Sequence, residues 1–285
     1  MGVCLCACMG AAVAAAAQEQ ARVALHRTRQ SASDLEIGGS LAGVPRGQRR
    51  FVRYAELSAL PLETHTVTDD TNFGKTVRIT GVRLELLPAL LGAERGASMV
   101  IAVCDDAYAA HYPAAYLRAH HPLLVLRVNG QLPARWPFGV DGVPMGPYMV
   151  SHASFRPSFQ VLAHADEAQV PWGVVRLDFR REAEVYAPIL PGAQYRENQQ
   201  VQHGYTIARQ SCFRCHANGN EGGLKSSRSW GVVARRAGTD PQWFDAYVRN
   251  PKKTNPASQM AASPQYDAAT LAALRAYFVT FQENP

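Results

Sequence analysis

The order of hydrophobic and polar positions predicts mixed strands and helices first, and helices alone towards the end of the chain. Apolar residues that alternate, or that follow one another over strand length, predict strands at 64–68, 76–82, 99–104, 123–128 and 172–179. Apolar residues at helical spacing predict helices near 51–61, 84–91, 201–210 and 267–281. The expected fold is an α+β amino-terminal domain followed by an all-α carboxy-terminal domain.

The first fifty residues lack such a pattern. Residues 1–17 are apolar and end in alanines that fit an A-x-A cleavage site, so we expect a signal peptide for export, although no basic residue precedes it. A lipoprotein-type box at Leu5–Cys8 is disfavoured, because few apolar residues come before it. Residues 18–50 are polar and basic and predict a linker or loosely draped arm. We expect domains at 51–190 and 198–285, with no transmembrane anchor once the signal is removed.

The motif Cys212-Phe213-Arg214-Cys215-His216 carries the most specific chemistry in the chain. Two thiols three residues apart lie on one helical turn, where they can add to the two vinyl groups of a porphyrin. His216 then lies under the iron and can ligate it through a neutral imidazole. A zinc site would need a second cysteine pair, and a thioredoxin-like dithiol would need a preceding strand. We therefore expect one covalently bound haem c.

Met260 is the candidate for the sixth ligand of such an iron. It is the only methionine after the motif, and it lies in a proline-bracketed loop, 255–264, ahead of the last predicted helix. A methionine that fills a gap in the core is the alternative interpretation. His203 is a competing ligand, less suited because it precedes the motif by only a turn or two of helix.

The succession of attachment helix, loops, methionine loop and final helix resembles the class I cytochromes c with one haem. The resemblance covers about residue 198 to the end of the chain, and its further positions are Gly204, Val248–Pro251, Leu271, Leu274, Tyr277 and Phe278. It implies a haem ligated by His216 and Met260 that carries single electrons. The chain departs from many such domains at Ala261, where they have a proline.

A second resemblance, to the sulfite oxidase-type molybdopterin domain, spans roughly residues 54–179. It rests on the order of short blocks, namely Ile79–Val82, Leu84, Leu86-Leu87, Cys104–Tyr108, Pro122–Leu124 and Asn129-Gly130. In that family the molybdenum-ligating cysteine precedes the Gly-Val block, whereas residues 64–80 of this chain contain no cysteine. Because a thiolate sets the charge and softness of a metal site, we expect a degenerate domain without molybdopterin. Cys104 is expected to be a buried strand cysteine.

Several imidazoles and carboxylates of the α+β domain invite interpretation as a metal site. They are Asp105, Asp106, His111, His120, His121, His152 and His164. No H-x-x-x-H or H-E-x-x-H spacing occurs among them, so we favour an interpretation without a metal.

Positive charge is concentrated in the carboxy-terminal part. Of the net charge of +6, residues from 196 onward contribute +5, from eleven Lys and Arg less six Asp and Glu. Arg235-Arg236 and Lys252-Lys253 could ring an exposed haem edge and attract an acidic redox partner, or could form a merely solvated surface. Nucleic acid is not an expected partner, because no basic stretch is interleaved with stacking aromatics.

Three functions are consistent with this sequence. The favoured one is an exported, periplasmic c-type cytochrome, an electron carrier rather than a self-contained enzyme, with no catalytic residues and an α+β domain used for docking. The second is a molybdenum-dependent oxidoreductase of the sulfite type with a fused haem domain, and the missing cysteine argues against it. The third is a haem sensor, which would need an open sixth position where Met260 is expected.

Overall fold

The computed structural model describes residues 23–68, 70–139, 142–153 and 169–282. The strands are β1 (Leu35–Gly39), β2 (Arg50–Val52), β3 (Glu63–Val67), β4 (Val77–Arg83), β5 (Met99–Cys104), β6 (Ala109–Tyr112), β7 (Leu123–Val128), β8 (Met149–Ser151) and β9 (Val174–Arg180). The helices are α1 (Tyr54–Ser58), α2 (Leu87–Leu90), α3 (Ala114–His120), α4 (Glu182–Tyr186), α5 (Gln199–Ser211), α6 (Trp230–Thr239), α7 (Pro241–Arg249), α8 (Pro251–Thr254) and α9 (Ala268–Val279). The fold is therefore mixed, with the strands preceding the longer helices. The predicted signal peptide lies outside the described residues.

The strands form two sheets. Their orders are β2-β1-β9-β5-β6 and β3-β4-β7-β8, and the pairs are antiparallel except for β1 with β9. Each strand predicted from the apolar pattern is present. Asn129 and Gly130 both have positive φ, 51° and 76°, as a tight turn after a strand requires.

Part of the predicted arm is a strand instead. Residues 35–39 form β1, which pairs with β2 on one side and with β9 on the other. Leu35 and Ile37 are fully buried. The prediction of a linker is therefore wrong for this segment, because five residues are too few to show sustained periodicity in a polar surrounding. The predicted helix near 51–61 is also shorter, since Phe51 and Val52 belong to β2.

Strand β5 is buried on both of its faces. Val100 and Ala102 point into a cluster that combines apolar side chains of both sheets. Met99 and Ile101 point the other way, into a cluster formed mainly by the carboxy-terminal helices. This explains why β5 is a continuous apolar run rather than an alternating one. The helical segment thus packs on the outer face of the five-stranded sheet.

Helices α5 and α9 pack closely against each other at Gly204. A Cβ atom at this position would lie 2.0 Å from the carbonyl oxygen of Ala273 and 2.6 Å from the Cβ of Tyr277. Both helices begin at a side-chain cap, since Asn198 accepts from the amide of Val201 and Asp267 accepts from that of Thr270. Among the described residues, no helix combines the length and the apolar character needed to cross a membrane.

Candidate functional site

The cysteine motif continues the helical path of α5 by one turn. Cys212 ends the helix, and its carbonyl oxygen accepts hydrogen bonds from the amides of Cys215 (3.1 Å) and His216 (3.0 Å). Both cysteines are half-buried and neither forms a disulfide. The turn therefore presents two thiols and an imidazole within five residues.

Phe213 anchors this turn in the core. It is fully buried, and its ring packs edge-on against Trp230 at a centroid distance of 5.6 Å. Gly222 and Gly223 let the following loop return onto the motif, where the amide of Gly223 donates to the carbonyl of Phe213 at 2.8 Å. A Cβ atom at Gly223 would lie 1.8 Å from the carbonyl oxygen of Arg214, so only glycine fits there.

His216 is held in a neutral, ligand-competent state. Its Nδ1 lies 2.7 Å from the carbonyl oxygen of Arg228, so Nδ1–H donates this bond and Nε2 keeps its lone pair. Burial lowers the pKa of His216 below its ordinary value, although the bond to Arg228 opposes the shift. A neutral imidazole oriented by a backbone carbonyl is the form in which histidine binds a metal.

Met260 lies in the loop between α8 and α9, and short hydrogen bonds order this loop. The amide of Met260 donates to Oγ of Ser258 at 3.3 Å, and that oxygen lies 2.8 Å from the hydroxyl of Tyr247. Further on, the hydroxyl of Tyr266 donates to Oγ of Ser211 at 3.1 Å, which ties the loop to the end of α5. Met260 is half-buried against the helical core, and Cys212 packs against the same core.

A cavity of about 470 Å³ opens beside Met260. Its walls are formed by the methionine loop and the start of α8, namely Asn250, Pro251, Lys252, Ser258, Gln259, Met260, Ala261 and Ala262. Cys212, Cys215 and His216 do not line it. A volume of this size lies within the range of ordinary cofactor and ligand pockets.

Tyr247 connects the supports of both candidate ligands. The Arg228 guanidinium lies 5.4 Å from the centroid of its ring, and the carbonyl of the same arginine holds His216. Its hydroxyl contacts Ser258, which holds the amide of Met260. The structure thus links His216 and Met260 through one buried aromatic side chain, which sequence reasoning missed. The segment Val248–Pro251 directly after Tyr247 was the only sequence signal near it.

The residues present fit a c-type haem better than the alternative groups. Two thiols on one turn and a neutral imidazole with Nε2 available would supply the attachment points and one axial ligand, and the thioether beside the cavity would supply the other. Among the described residues, no three His, Cys, Asp or Glu side chains come together in a group that could hold a metal ion. His203 lies on α5, half-buried, ahead of the motif.

The motif is hydrogen-bonded to the outer edge of β6. The amide of Ala109 donates to the carbonyl of Arg214 at 2.9 Å, and the amide of Leu224 donates to that of Ala107 at 3.0 Å. Side chains add one hydrogen bond, from Arg214 Nη1 to the hydroxyl of Tyr108 at 2.9 Å. They also add two ion pairs, Lys225 with Asp106 and Arg180 with Glu221, each at 2.5 Å. The candidate site is therefore fixed against the sheet, an arrangement that the sequence did not predict.

The described candidate residues of the α+β segment do not form one site. Cys104 is buried on β5, where burial and the neighbouring Asp106 and Asp105 raise the pKa of its thiol, so it stays protonated. His121 pairs with Glu85 at 2.8 Å, away from the buried His111.

Two histidines instead meet at Tyr116. Nε2 of His152 lies 3.0 Å from the hydroxyl of Tyr116, and the ring of His120 lies 4.6 Å from the ring of the same tyrosine, between centroids. His164 lies outside the described residues. The described histidines of this segment are thus divided between separate environments.

Comparison with known proteins adds little to this geometry. No family model matches the chain, and no curated protein matches it. The sulfane dehydrogenase SoxCD from Paracoccus pantotrophus is among the solved structures that match, with a TM-score of 0.35 and 15% identity over 55% of this chain and 40% of that chain. The chain thus spans less than half the length of that protein chain. A functional assignment therefore depends on the site residues themselves.

Proposed function

We propose that this protein is an exported c-type cytochrome that carries single electrons through one haem. Cys212 and Cys215 would hold the haem covalently, and His216 and Met260 would be the axial ligands. The observation that carries this proposal is the 2.7 Å hydrogen bond from His216 Nδ1 to Arg228. It presents a neutral imidazole nitrogen on the same turn as two thiols that form no disulfide.

When bound, the haem would supply an iron that alternates between two oxidation states. The chain's own residues position and shield it. Phe213 fixes the attachment turn in the core, and the Arg228 carbonyl fixes the orientation of the His216 ring. Ser258 and Tyr247 hold the backbone at Met260, so the loop that carries its thioether would be ordered before the haem binds. A thioether ligand raises the reduction potential relative to a second imidazole.

We infer that the α+β domain, a degenerate molybdopterin-type domain without that cofactor, has a docking role. It supports the motif through the edge of β6, where the Ala109 amide bonds Arg214. Its segment 64–80 contains no cysteine that could ligate molybdenum. Cys104 lies on β5, outside that segment, and its thiol is buried.

An acidic redox protein is the proposed partner. Lys252 and Lys253 are exposed at α8, and Lys252 lines the cavity beside Met260. Arg235 and Arg236 are exposed on α6, and the Arg236 guanidinium lies 4.5 Å from the ring centroid of Trp243. Lys252 at the cavity, together with the other exposed cations of α6 and α8, would attract an acidic surface.

The test is expression in a host that attaches haem to exported proteins. The purified chain should carry about one haem per chain, retained after denaturation because it is bound by thioethers. Replacing both motif cysteines (Cys212→Ala with Cys215→Ala) should abolish this retention, whereas Cys104→Ala should not. A wild-type chain that carries no covalent haem, or that carries zinc, would refute the proposal.

A further inference from the structure

We propose that an acidic redox protein docks on a cluster of two aromatic rings and two arginines at α6 and α7. The cluster comprises Arg228, Arg236, Trp243 and Tyr247, and we call it the arginine–tryptophan cluster. The inference rests on the proposed function, because it names where the partner of the proposed electron carrier makes contact.

The four side chains of the cluster form one continuous series of contacts. Trp243 and Tyr247 are four residues apart on α7, and their rings stack with 4.5 Å between centroids and 14° between planes. The Arg236 guanidinium lies 4.5 Å from the ring centroid of Trp243. The Arg228 guanidinium lies 5.4 Å from that of Tyr247. Both distances are within the range of a cation–π interaction, so each arginine is held by one of the two rings.

The cluster is accessible from solvent. Arg228 and Arg236 are exposed, and Trp243 is half-buried. Val232 lies four residues before Arg236 on α6, and so on the same face of the helix, and it is 44% exposed. Tryptophan, tyrosine and arginine are the residues most enriched where alanine substitution costs the most binding energy. The cluster thus has the composition of an interface centre.

The arginines of the cluster are partly ordered before a partner binds. A long side chain that is mobile in the free protein loses conformational entropy when an interface immobilises it. The ring contacts of Arg228 and Arg236 reduce this loss, because they already restrict both side chains. The cluster is therefore better prepared for carboxylates than a set of freely moving lysines.

The cluster is connected to the methionine loop. Trp243 stacks on Tyr247, whose hydroxyl lies 2.8 Å from Oγ of Ser258. That oxygen accepts from the amide of Met260 at 3.3 Å. A partner that sits on the indole of Trp243 would thus be separated from the loop of the candidate ligand by one aromatic ring. Electron exchange requires this kind of proximity.

The segment that carries the cluster is basic. Residues 228–255, which are described without a gap, contain six Lys and Arg and two Asp, a balance of +4. Asp240 lies 3.4 Å from Arg236 and offsets part of its charge. Asp245 forms an ion pair with Arg275, which lies outside this segment. The positive balance therefore remains after both carboxylates are counted.

An acidic protein is the occupant that this balance favours. Over residues 228–285, of which 283–285 lie outside the described residues, seven Lys and Arg less four Asp and Glu still leave +3. Carboxylates of an acidic partner can pair with the arginines while its apolar atoms cover Val232 and Trp243. A second copy of this chain is disfavoured, because a symmetric contact would bring the same cations together.

The experiment titrates the full-length holoprotein with an acidic plant-type [2Fe–2S] ferredoxin and measures binding by calorimetry at low salt. Trp243→Leu should weaken binding at least about tenfold, because it removes the centre of the contact. Trp243→Phe keeps a ring and should stay within about threefold of the wild type. Arg236→Gln should weaken binding at low salt, and raising the salt should reduce its difference from the wild type.

A second variant tests the surface without altering the aromatic stack. Val232→Glu places a negative charge beside Arg236, and it should weaken ferredoxin binding about tenfold at low salt. Glutamate is favourable in the first turn of a helix, so this variant should fold. Equal affinities of the wild type, Trp243→Leu and Val232→Glu would overturn the proposal, as would absence of ferredoxin binding to the wild type.

Matched variants elsewhere separate this surface from general charge and exposed apolar area. Phe138→Leu alters an aromatic side chain of the α+β segment that is 66% exposed, and Arg27→Gln with Arg46→Gln removes two exposed cations. Both controls should bind ferredoxin as the wild type does, and a loss in them equal to that in Trp243→Leu would refute the proposal. Dimerisation of the chain alone that Val232→Glu abolishes would instead assign the surface to a second copy.

Two measurements on the same samples separate this inference from the proposed function. Covalent haem and the charge-transfer band of Met260 report on the function, and ferredoxin affinity reports on docking. Intact haem and band with an affinity that is unchanged in Trp243→Leu would refute the docking surface alone. A chain without covalent haem whose affinity still depends on Trp243 would refute the proposed function and support the docking surface.

Discussion

The imidazole of His111 stacks on the ring of Phe213, with 5.0 Å between the centroids and 27° between the planes. His111 belongs to the edge strand β6, and Phe213 lies between the two motif cysteines. The carboxamide of Gln169 holds the backbone of His111, accepting from its amide at 3.1 Å and donating to its carbonyl at 2.7 Å. The sheet edge and the candidate haem site are thus joined by one aromatic contact.

This contact predicts acid sensitivity. Burial lowers the pKa of His111 from its ordinary value of 6.5 to about 3. Between these values the unfolded chain binds a proton that the folded chain does not, so folding stability falls as pH falls from about 6.5 towards 3. The full loss is at most about 5 kcal/mol. Urea unfolding across this range should show a shallower pH slope in His111→Phe than in the wild type. Equal slopes in wild type and His111→Phe would contradict the argument.

The α5–α9 contact predicts opposite effects of the same substitution at two glycines. Gly204→Ala places a Cβ atom 2.0 Å from a backbone carbonyl, which must shift, so stability should fall by roughly 2 kcal/mol or more. In Gly231→Ala, on α6, the added Cβ atom has no other atom within 4 Å, so the higher helix propensity of alanine should stabilise the fold by about 0.5 kcal/mol. Chemical denaturation measures both, and a neutral Gly204→Ala would show that the helices are not in close contact.

Met260 as axial ligand predicts a spectroscopic signature. The oxidised protein should show a weak sulfur-to-iron charge-transfer band that Met260→Ala abolishes. Met260→His should lower the reduction potential, because imidazole favours ferric iron relative to a thioether. A charge-transfer band that persists in Met260→Ala, or a reduction potential that rises in Met260→His, would show that Met260 is not the sixth ligand. His203 would then be the remaining candidate.

The contacts of Tyr247 predict that its hydroxyl stabilises the methionine loop through Ser258. Tyr247→Phe keeps the ring under Arg228 but removes the bond to Ser258, at a cost of about 1 kcal/mol. The charge-transfer band should then be lost at lower temperature on heating, and Ser258→Ala should have the same effect. The control Tyr205→Phe lies on α5 and should not change the band. A band equally stable in all variants would show that the loop is held by other contacts.

The absence of a cysteine from residues 64–80 predicts the metal content. Purified protein should contain about one iron per chain and negligible molybdenum, because the thiolate ligand is missing. Sulfite should not reduce the haem, and electron exchange with a small acidic redox protein should slow as salt screens the basic surface. Stoichiometric molybdenum that is lost in Cys104→Ser would instead support the oxidoreductase.

The sequence by itself determined the features that depend on short spacing. The turn of Cys212 to His216 follows from five adjacent residues, and the caps Asn198 and Asp267 act on amides three residues away. Apolar periodicity located β3, β4, β5, β7, β9 and the last helix in the same way, because side-chain direction repeats over two or about four residues.

Only the tertiary structure decided what those elements contact. Arg214 meets Tyr108 although 106 positions separate them, and no local pattern records such a pairing. Strand β1 was missed for the same reason, since its burial depends on its position between β2 and β9 rather than on its own five residues. Short-range spacing fixes backbone conformation and which chemical groups are adjacent. The path of the chain through a shared core fixes which distant groups meet, and that depends on the packing of all elements together.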